Sequence, residues 1–261
     1  MLNDFDLISR NFKDGVTIYP IGDVHLGALE HNEAAWQDFL KRVKAEDAYI
    51  VLVGDLLNNG VRGCKFANPF DEILRPREAK ARMVQYLEPL RDRLIAAVGG
   101  NHERRTERET DIDLTRDIMC KLDLEHLYRP NLAFVLLGCG ERKSENKACC
   151  KYTLCITHGA GGGVYTGAAL NRSERFGNID GLDCLITAHV HKGFVSRPAK
   201  ICVDPHNCTV SVKHYTVVSC VSWLEYGGYA ARAMLTPAAT CNPQKLVFSA
   251  DKHKKEIKVV W

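Results

Sequence analysis

No apolar run in this chain approaches the roughly 18 residues that a membrane-spanning helix needs. The first residues, Met1-Leu2-Asn3-Asp4-Phe5-Asp6, lack the basic start and apolar stretch of a secretory signal. Those two absences predict a soluble, cytoplasmic protein with no membrane partner. An excess of one charge is lacking too: 35 Lys and Arg against 32 Asp and Glu leave a formal net charge of +3. That is too weak by itself to imply a nucleic-acid partner. Basic residues do gather at Arg104, Arg105 and Arg108, and such a run is more often a solvated face than a phosphate clamp. No linker, internal repeat or low-complexity stretch divides the 261 residues, so one domain spanning 1–261 is expected.

Cysteine is present but unorganised. The 11 cysteines make an odd count with no repeated short spacing. Cys155, Cys184 and Cys220 fall inside apolar runs, where a reduced thiol acts as a small core residue. Cys149-Cys150 and Cys202…Cys208 are the close groupings. A zinc site at Cys202, His206 and Cys208 stays open, with free thiols in a reducing cytosol the better account.

What the chain does have is alternation. Val16–Ile21, Tyr49–Val53, Leu94–Val98, Leu132–Leu137, Tyr152–Thr157 and Cys184–Thr187 are short and rich in Val, Ile, Leu and Tyr, and read as buried strands. Between them, Trp36, Phe39, Leu40 and Val43 recur at helical spacing. So do Ala79, Met83, Val84 and Leu87, and later Ile118, Met119 and Leu122. Alternating strands and helices predict an α/β architecture. In the last third, Val210–Cys220, Tyr229–Leu235, Lys245–Ser249 and Glu256–Trp261 read as strands without long helices between them. A second, mostly antiparallel sheet packed on the first is expected there, with Trp223–Tyr229 as core packing ahead of a base-stacking surface or a dimer contact.

Five polar clusters follow five of these strands: Asp23-Val24-His25, Gly54-Asp55, Gly100-Asn101-His102-Glu103, His158-Gly159 and His189-Val190-His191. Taken singly, each is an ordinary turn or loop. Ligands of open α/β sheets bind beyond the carboxyl ends of the strands, so parallel neighbours would bring all five clusters to one crevice. Carboxylate, imidazole and amide oxygen without thiolate suit divalent ions such as Mn²⁺, Fe²⁺ or Zn²⁺. Asp23, His25, Asp55, Asn101, His158, His189 and His191 exceed one tetrahedral site and suit two ions sharing a carboxylate.

In this order the motifs resemble the calcineurin-like metallophosphoesterase superfamily, over residues 23–191. The resemblance implies a four-layer αββα sandwich of two mixed sheets flanked by helices. It also implies two divalent ions, Mn²⁺ first, with Fe, Zn or Mg as alternatives. Asp23, His25, Asp55 and His191 would hold one ion; Asp55, Asn101, His158 and His189 would hold the other, with Asp55 bridging. A hydroxide bridging the ions would attack phosphorus, and His102 would protonate the leaving oxygen.

Two departures bear on substrate. In the superfamily's protein-phosphatase branch the second motif runs Gly-Asp-x-x-Asp-Arg-Gly. Here it reads Gly54-Asp55-Leu56-Leu57-Asn58-Asn59-Gly60. Asn58 stands where an Asp would orient the catalytic His, and its amide carbonyl is expected to accept a hydrogen bond from His102. Asn59 replaces the Arg that would grip a phosphate monoester. Asp23-Val24-His25-Leu26-Gly27 and His189-x-His191 resemble the nuclease and phosphodiesterase branches. The expected substrate is therefore a phosphodiester of a nucleotide or nucleic acid, with a phosphomonoesterase as the alternative and an inactive scaffold as a remoter one. Arg104 and Arg105 are candidate phosphate contacts. The loop Gly159–Gly163 offers backbone amides. Segments 61–77 and 104–130 are expected as cap insertions roofing the crevice, the second with a helix started by Thr110 or Asp111.

Overall fold

The computed structural model describes residues 4–61, 70, 72–140, 150–163, 165–251 and 253–261. Four strands of one sheet run parallel: β2 (Val16–Ile21), β3 (Tyr49–Val53), β4 (Leu94–Val98) and β5 (Tyr128–Arg129). Beside β2 lies antiparallel β13 (Lys245–Phe248), followed by β14 (Ile257–Val260). The second sheet has the order β1-β6-β7-β8-β12-β9. Its strands are β1 (Ile8–Phe12), β6 (Leu132–Cys139), β7 (Cys150–Thr157), β8 (Cys184–Thr187), β12 (Thr216–Ser219) and β9 (Phe194–Ser196). Here too the pairing is mixed: β7, β8 and β12 are parallel neighbours, as are β1 and β6, while β6 runs against β7 and β9 against β12.

The two sheets face each other across one apolar core. Phe12 of β1 meets Tyr49 of β3 edge-on at 4.8 Å, and Tyr152 of β7 meets Phe248 of β13 at 5.1 Å. On the far side of the first sheet sits α1 (Glu33–Ala45), which buries Trp36, Phe39 and Val43. Asn32 caps that helix, its side chain accepting from the Ala35 amide at 2.9 Å. Two further helices, α2 (Pro76–Leu87) and α4 (Leu114–Lys121), bury the apolar stripes read from the sequence. On the second sheet the period-2 alternation is explicit. Leu154, Ile156, Cys184 and Ile186 face the shared core, while Cys155, Leu185 and Val217 form a separate outer cluster with Tyr215. Over that cluster lies α5 (Thr166–Phe176), where the Tyr215 hydroxyl donates to the Glu174 carbonyl at 2.7 Å. The architecture is thus the expected sandwich of two mixed sheets between helices.

The last third departs from expectation. Apart from one exposed two-stranded hairpin it builds no sheet of its own, and its other strands join the two sheets already described. The stretch 210–220 is two strands: β11 (Thr209–His214), which pairs with β10 (Ala199–Asp204) in an exposed hairpin, and buried β12, which fills a slot beside β8. Residues 229–235 are not a strand: α6 (Gly228–Arg232) covers the first four of them. Its sequence, Tyr-Ala-Ala-Arg-Ala-Met-Leu, is rich in strong helix formers, and local propensity prevails where no neighbouring strand offers an edge. Of the stretch expected as core packing, Trp223 is core, its ring 5.0 Å from Trp36, whereas Tyr226 is exposed, its hydroxyl donating to the Leu235 carbonyl at 2.9 Å.

Between β4 and β5 runs a helix–helix segment. Thr110 ends α3 (Glu103–Thr110) and Asp111 caps it in a left-handed conformation, φ 59°. The start signal of α4 is Asp113, which accepts from the Arg116 amide at 2.9 Å. Of segment 61–77, residues 62–69 and 71 lie outside the described residues. Among the described residues no helix is long and apolar enough to cross a membrane.

Phe248 is fully buried between the sheets. Phe248→Ala should cost about 3–5 kcal/mol in urea unfolding, whereas Ile201→Ser on the exposed hairpin should stay within about 0.5 kcal/mol. Equal losses would contradict a core shared by both sheets.

Candidate metal centre

All five polar clusters meet at one edge of the sandwich. The chain keeps pairing past the ends of β2 and β3: Asp23 N donates to Gly54 O at 3.1 Å, His25 N to Asp55 O at 3.0 Å and Leu26 N to Leu56 O at 3.0 Å. The second sheet is tied in by His158, whose Nδ1 lies 2.7 Å from the Val53 carbonyl, and by His189 N, which donates to Asp23 Oδ2 at 2.8 Å. Gly54 and Gly100 let the second and third loops touch. A Cβ on Gly100 would stand 2.1 Å from Asp55 N, and one on Gly54 2.7 Å from Gly100 Cα.

This convergence strains the backbone. Asp23, His25, Asp55, His189 and His191 all have φ between 50° and 74°, where an L-residue is uncommon. Such clustering is typical of sites whose surroundings over-determine them.

Three groups of side chains bring ligand atoms within 4.8 Å of one another: Asp23, His25 and His191; His25, Asp55 and His102; Asp55, His158 and His189. Asp55 belongs to two of them. Its Oδ2 lies 3.2 Å from His158 Nε2, 3.7 Å from His102 Nε2 and 3.9 Å from His25 Nε2. Asn101 Oδ1 sits 2.9 Å from His158 Nε2 and 2.6 Å from His189 Nδ1. These groups are where a cation fits. His158 Nδ1 faces a carbonyl and must carry the ring proton, so in the neutral ring its Nε2 lone pair faces the oxygens of Asp55 and Asn101. His25 Nε2 and His191 Nε2 confront each other at 3.0 Å beside buried Asp23 Oδ1, which has no hydrogen-bond partner among the described residues. Two ring nitrogens converging on a buried, unpaired carboxylate oxygen make a place for positive charge.

Electrostatics agree. Burial works against charge on Asp55, yet His158, His102 and His25 hold its carboxyl well below the ordinary range. His158 is itself pushed up to about 9, because Asp55 outweighs the effect of burial. Among the described residues, no such group includes Cys202, His206 or Cys208.

The remaining expected residues are placed as follows. His102 N donates to Asp55 Oδ1 at 2.8 Å. Its Nδ1 donates at 2.6 Å to the main-chain carbonyl of Asn58, while Arg105 donates to its Nε2 at 2.8 Å. The ring is thus the neutral Nδ1–H tautomer, and burial, with His25 and Arg105, lowers its pKa to about 3. The expected acceptor, the Asn58 side chain, is turned away: its Nδ2 donates to Glu72 at 3.1 Å. The peptide carbonyl does the orienting, because the loop already points it at the ring. Asn59 is buried, donating to the His102 carbonyl at 2.6 Å and accepting from Thr106 at 2.9 Å. Arg105 lies against the cluster. Arg104 instead binds the Pro130 carbonyl at 2.8 Å and Asn131 at 2.9 Å. The Gly159–Gly163 loop is exposed, held to α5 where Arg172 donates to the Ala160 carbonyl.

Glu103 is the residue that motif reading passed over. Its Oε2 accepts from the amides of Asp55 (3.1 Å) and Gly100 (3.2 Å), and its Oε1 from Leu57 (2.8 Å). One buried carboxylate therefore clasps the second and third loops, with its pKa raised to about 7 by burial and by Asp55. Its place in the third motif was a visible signal, but adjacency in sequence says nothing about where it points.

Residues 16–193 match the calcineurin-like phosphoesterases, and the chain belongs to that family. Family and His/Asp groups together support a metal-dependent phosphoesterase. Two solved structures share 94% coverage of this chain. One is a conserved uncharacterised protein, a predicted phosphoesterase, from Streptococcus pneumoniae: 10% identity, 98% of its own chain covered, TM-score 0.38. The other is the anchor in the inner membrane complex of Plasmodium: 11% identity, 90% covered, TM-score 0.40. None of the curated proteins matches.

Glu103→Ala strands three buried amides at roughly 1–3 kcal/mol each. It should lower the unfolding free energy of the metal-free protein by more than about 3 kcal/mol, with Glu103→Gln losing less. A loss under about 1 kcal/mol for the alanine variant would show that the loops close without it.

Proposed function

We propose that this protein is a dinuclear metal-dependent phosphoesterase acting on phosphodiesters of nucleotides or nucleic acid. The observation that carries this reading is the meeting of two His/Asp groups at one edge of the sandwich, Asp23, His25 and His191 beside Asp55, His158 and His189, with Asp55 Oδ2 3.9 Å from His25 Nε2. Asp23, His25, Asp55 and His191 would hold one ion, and Asp55, Asn101, His158 and His189 the other. The all-nitrogen-and-oxygen donor set suits Mn²⁺, Fe²⁺ or Zn²⁺, and Mn²⁺ is the ion taken first. Such ions supply Lewis acidity toward the phosphoryl oxygens and make water acidic enough to ionise near neutral pH.

The chain's own residues do the rest. His102 is placed to serve the leaving oxygen through Nε2, the ring atom not engaged by Asn58. An oxygen arriving there displaces Arg105 from that nitrogen and leaves the guanidinium beside the phosphoryl group. Substrate negative charge then favours a proton on the imidazole, which it can pass to the leaving group.

The diester preference rests on Asn59. Buried and bonded on both sides, it cannot grip a second phosphoryl charge as an arginine would. One observation favours the alternative, a phosphomonoesterase: Arg105 sets a guanidinium 2.8 Å from His102 Nε2 and could supply that grip from another element. Buried thiols at Cys155, Cys184 and Cys220 suit a reducing, cytoplasmic setting.

With Mn²⁺, bis-p-nitrophenyl phosphate should be cleaved at least about tenfold faster than p-nitrophenyl phosphate, a difference of roughly 1.4 kcal/mol in barrier. A strong monoester preference would transfer the assignment to the alternative. His102→Ala should keep its metal, measured by elemental analysis. It should lose about 10²–10⁴-fold on poor leaving groups and less on p-nitrophenolate; equal losses on both would remove His102 as the proton donor.

A further inference from the structure

Glu72 lies outside all five motifs, yet its carboxylate is wedged between two of their loops. Its backbone bridges to Ala28, and the next amide, Ile73 N, donates to Gly27 O at 2.8 Å. Its Oε1 accepts from Asn58 Nδ2 at 3.1 Å and from the Gly60 amide. Gly60 is obligatory for that approach, since a Cβ there would stand 2.3 Å from the same oxygen. Among the described residues, buried Glu72 Oε2 has no hydrogen-bond partner. A carboxylate held this way is a costly feature for a loop tie, because one of its oxygens gains no hydrogen bond from it.

The value of the arrangement lies one residue further on. The Asn58 carbonyl accepts from both His102 Nδ1 (2.6 Å) and Arg105 NH1 (3.1 Å). Fixing the Asn58 side chain and the Gly60 amide fixes the loop that carries that carbonyl. A carbonyl only accepts, so its direction decides which ring nitrogen of His102 holds the proton.

We propose that Glu72 is a positioning residue for this site: by accepting from Asn58 and Gly60 it aims the Asn58 carbonyl, which selects the Nδ1–H form of His102 and turns Nε2 toward the substrate. Glu72 acts through Asn58, standing in for the carboxylate that the second motif lacks at position 58. The catalytic consequence rests on the phosphoesterase reading; the tautomer assignment does not.

Histidine ¹⁵N–¹H ring spectra of the Zn²⁺-loaded protein test the assignment without turnover, and kinetics with Mn²⁺ test its consequence. Wild type should give a single Nδ1–H tautomer for His102. Glu72→Ala should give a mixture of tautomers, unchanged metal content, and kcat lowered about 10- to 100-fold on a poor leaving group with KM within about twofold. Glu72→Gln, which keeps an acceptor oxygen, should restore the tautomer and most of the rate. Asn58→Ala removes the same link while sparing Glu72, and should reproduce the mixture even if Glu72→Ala does not fold. A single unchanged tautomer in both alanine variants overturns the proposal. So does a loss of rate that Glu72→Gln does not recover. If wild type cleaves no phosphate ester while the tautomer responds as stated, the phosphoesterase reading fails and the positioning role stands.

Discussion

The constraint on which the rest depends is the burial of two carboxylates, Asp23 and Asp55, at the ends of adjacent parallel strands, each at most 1% exposed. Neither can be left alone in the interior. Everything around them answers that demand. Imidazoles arrive from β7 and β8 of the opposite sheet, backbone amides of His102 and His189 donate to them, and Glu103 binds the amides behind them. The left-handed residues at Asp23, His25, Asp55, His189 and His191 answer the same demand, turning the chain sharply at the ends of β2, β3 and β8.

Much of this was legible in the sequence because buried parallel strands write themselves as apolar runs. Four of the six strands read there, including β2, β3 and β4, begin and end at the predicted residues. Once parallel order is assumed, the position of each motif just beyond a strand implies the crevice. The last third was less legible. Its strands are short, and the two that join the site-bearing strands take their identity from distant partners, β12 from β8 and β13 from β2. The run around Tyr229 obeyed local helix propensity instead of the pattern of its neighbours.

Within the site, residue types proved more legible than directions. A motif states that an asparagine occupies position 58, but not that its main chain faces His102 and its side chain faces Glu72. Arg104 and Arg105 are neighbours in sequence, yet successive positions on a helix diverge by about 100°, so one meets His102 and the other the turn before β6. Glu72 carries no motif at all, and only the packed loops reveal it.

The two strands that flank the site-bearing β2 and β8 come from the far end of the chain. β13 pairs with β2 across some 230 residues of sequence, Leu246 opposite Ile18, and the Tyr152 hydroxyl lies 2.8 Å from the Ser249 carbonyl. On a ribosome, therefore, all five metal-binding loops emerge before the strands that complete either sheet. Closure of such distant pairings is slow, and until it happens β2 presents an open apolar edge. The ion-binding crevice is thus a late product of folding, and the nascent chain carries Asp23 and Asp55 through most of its synthesis before the strands that bury them are in place.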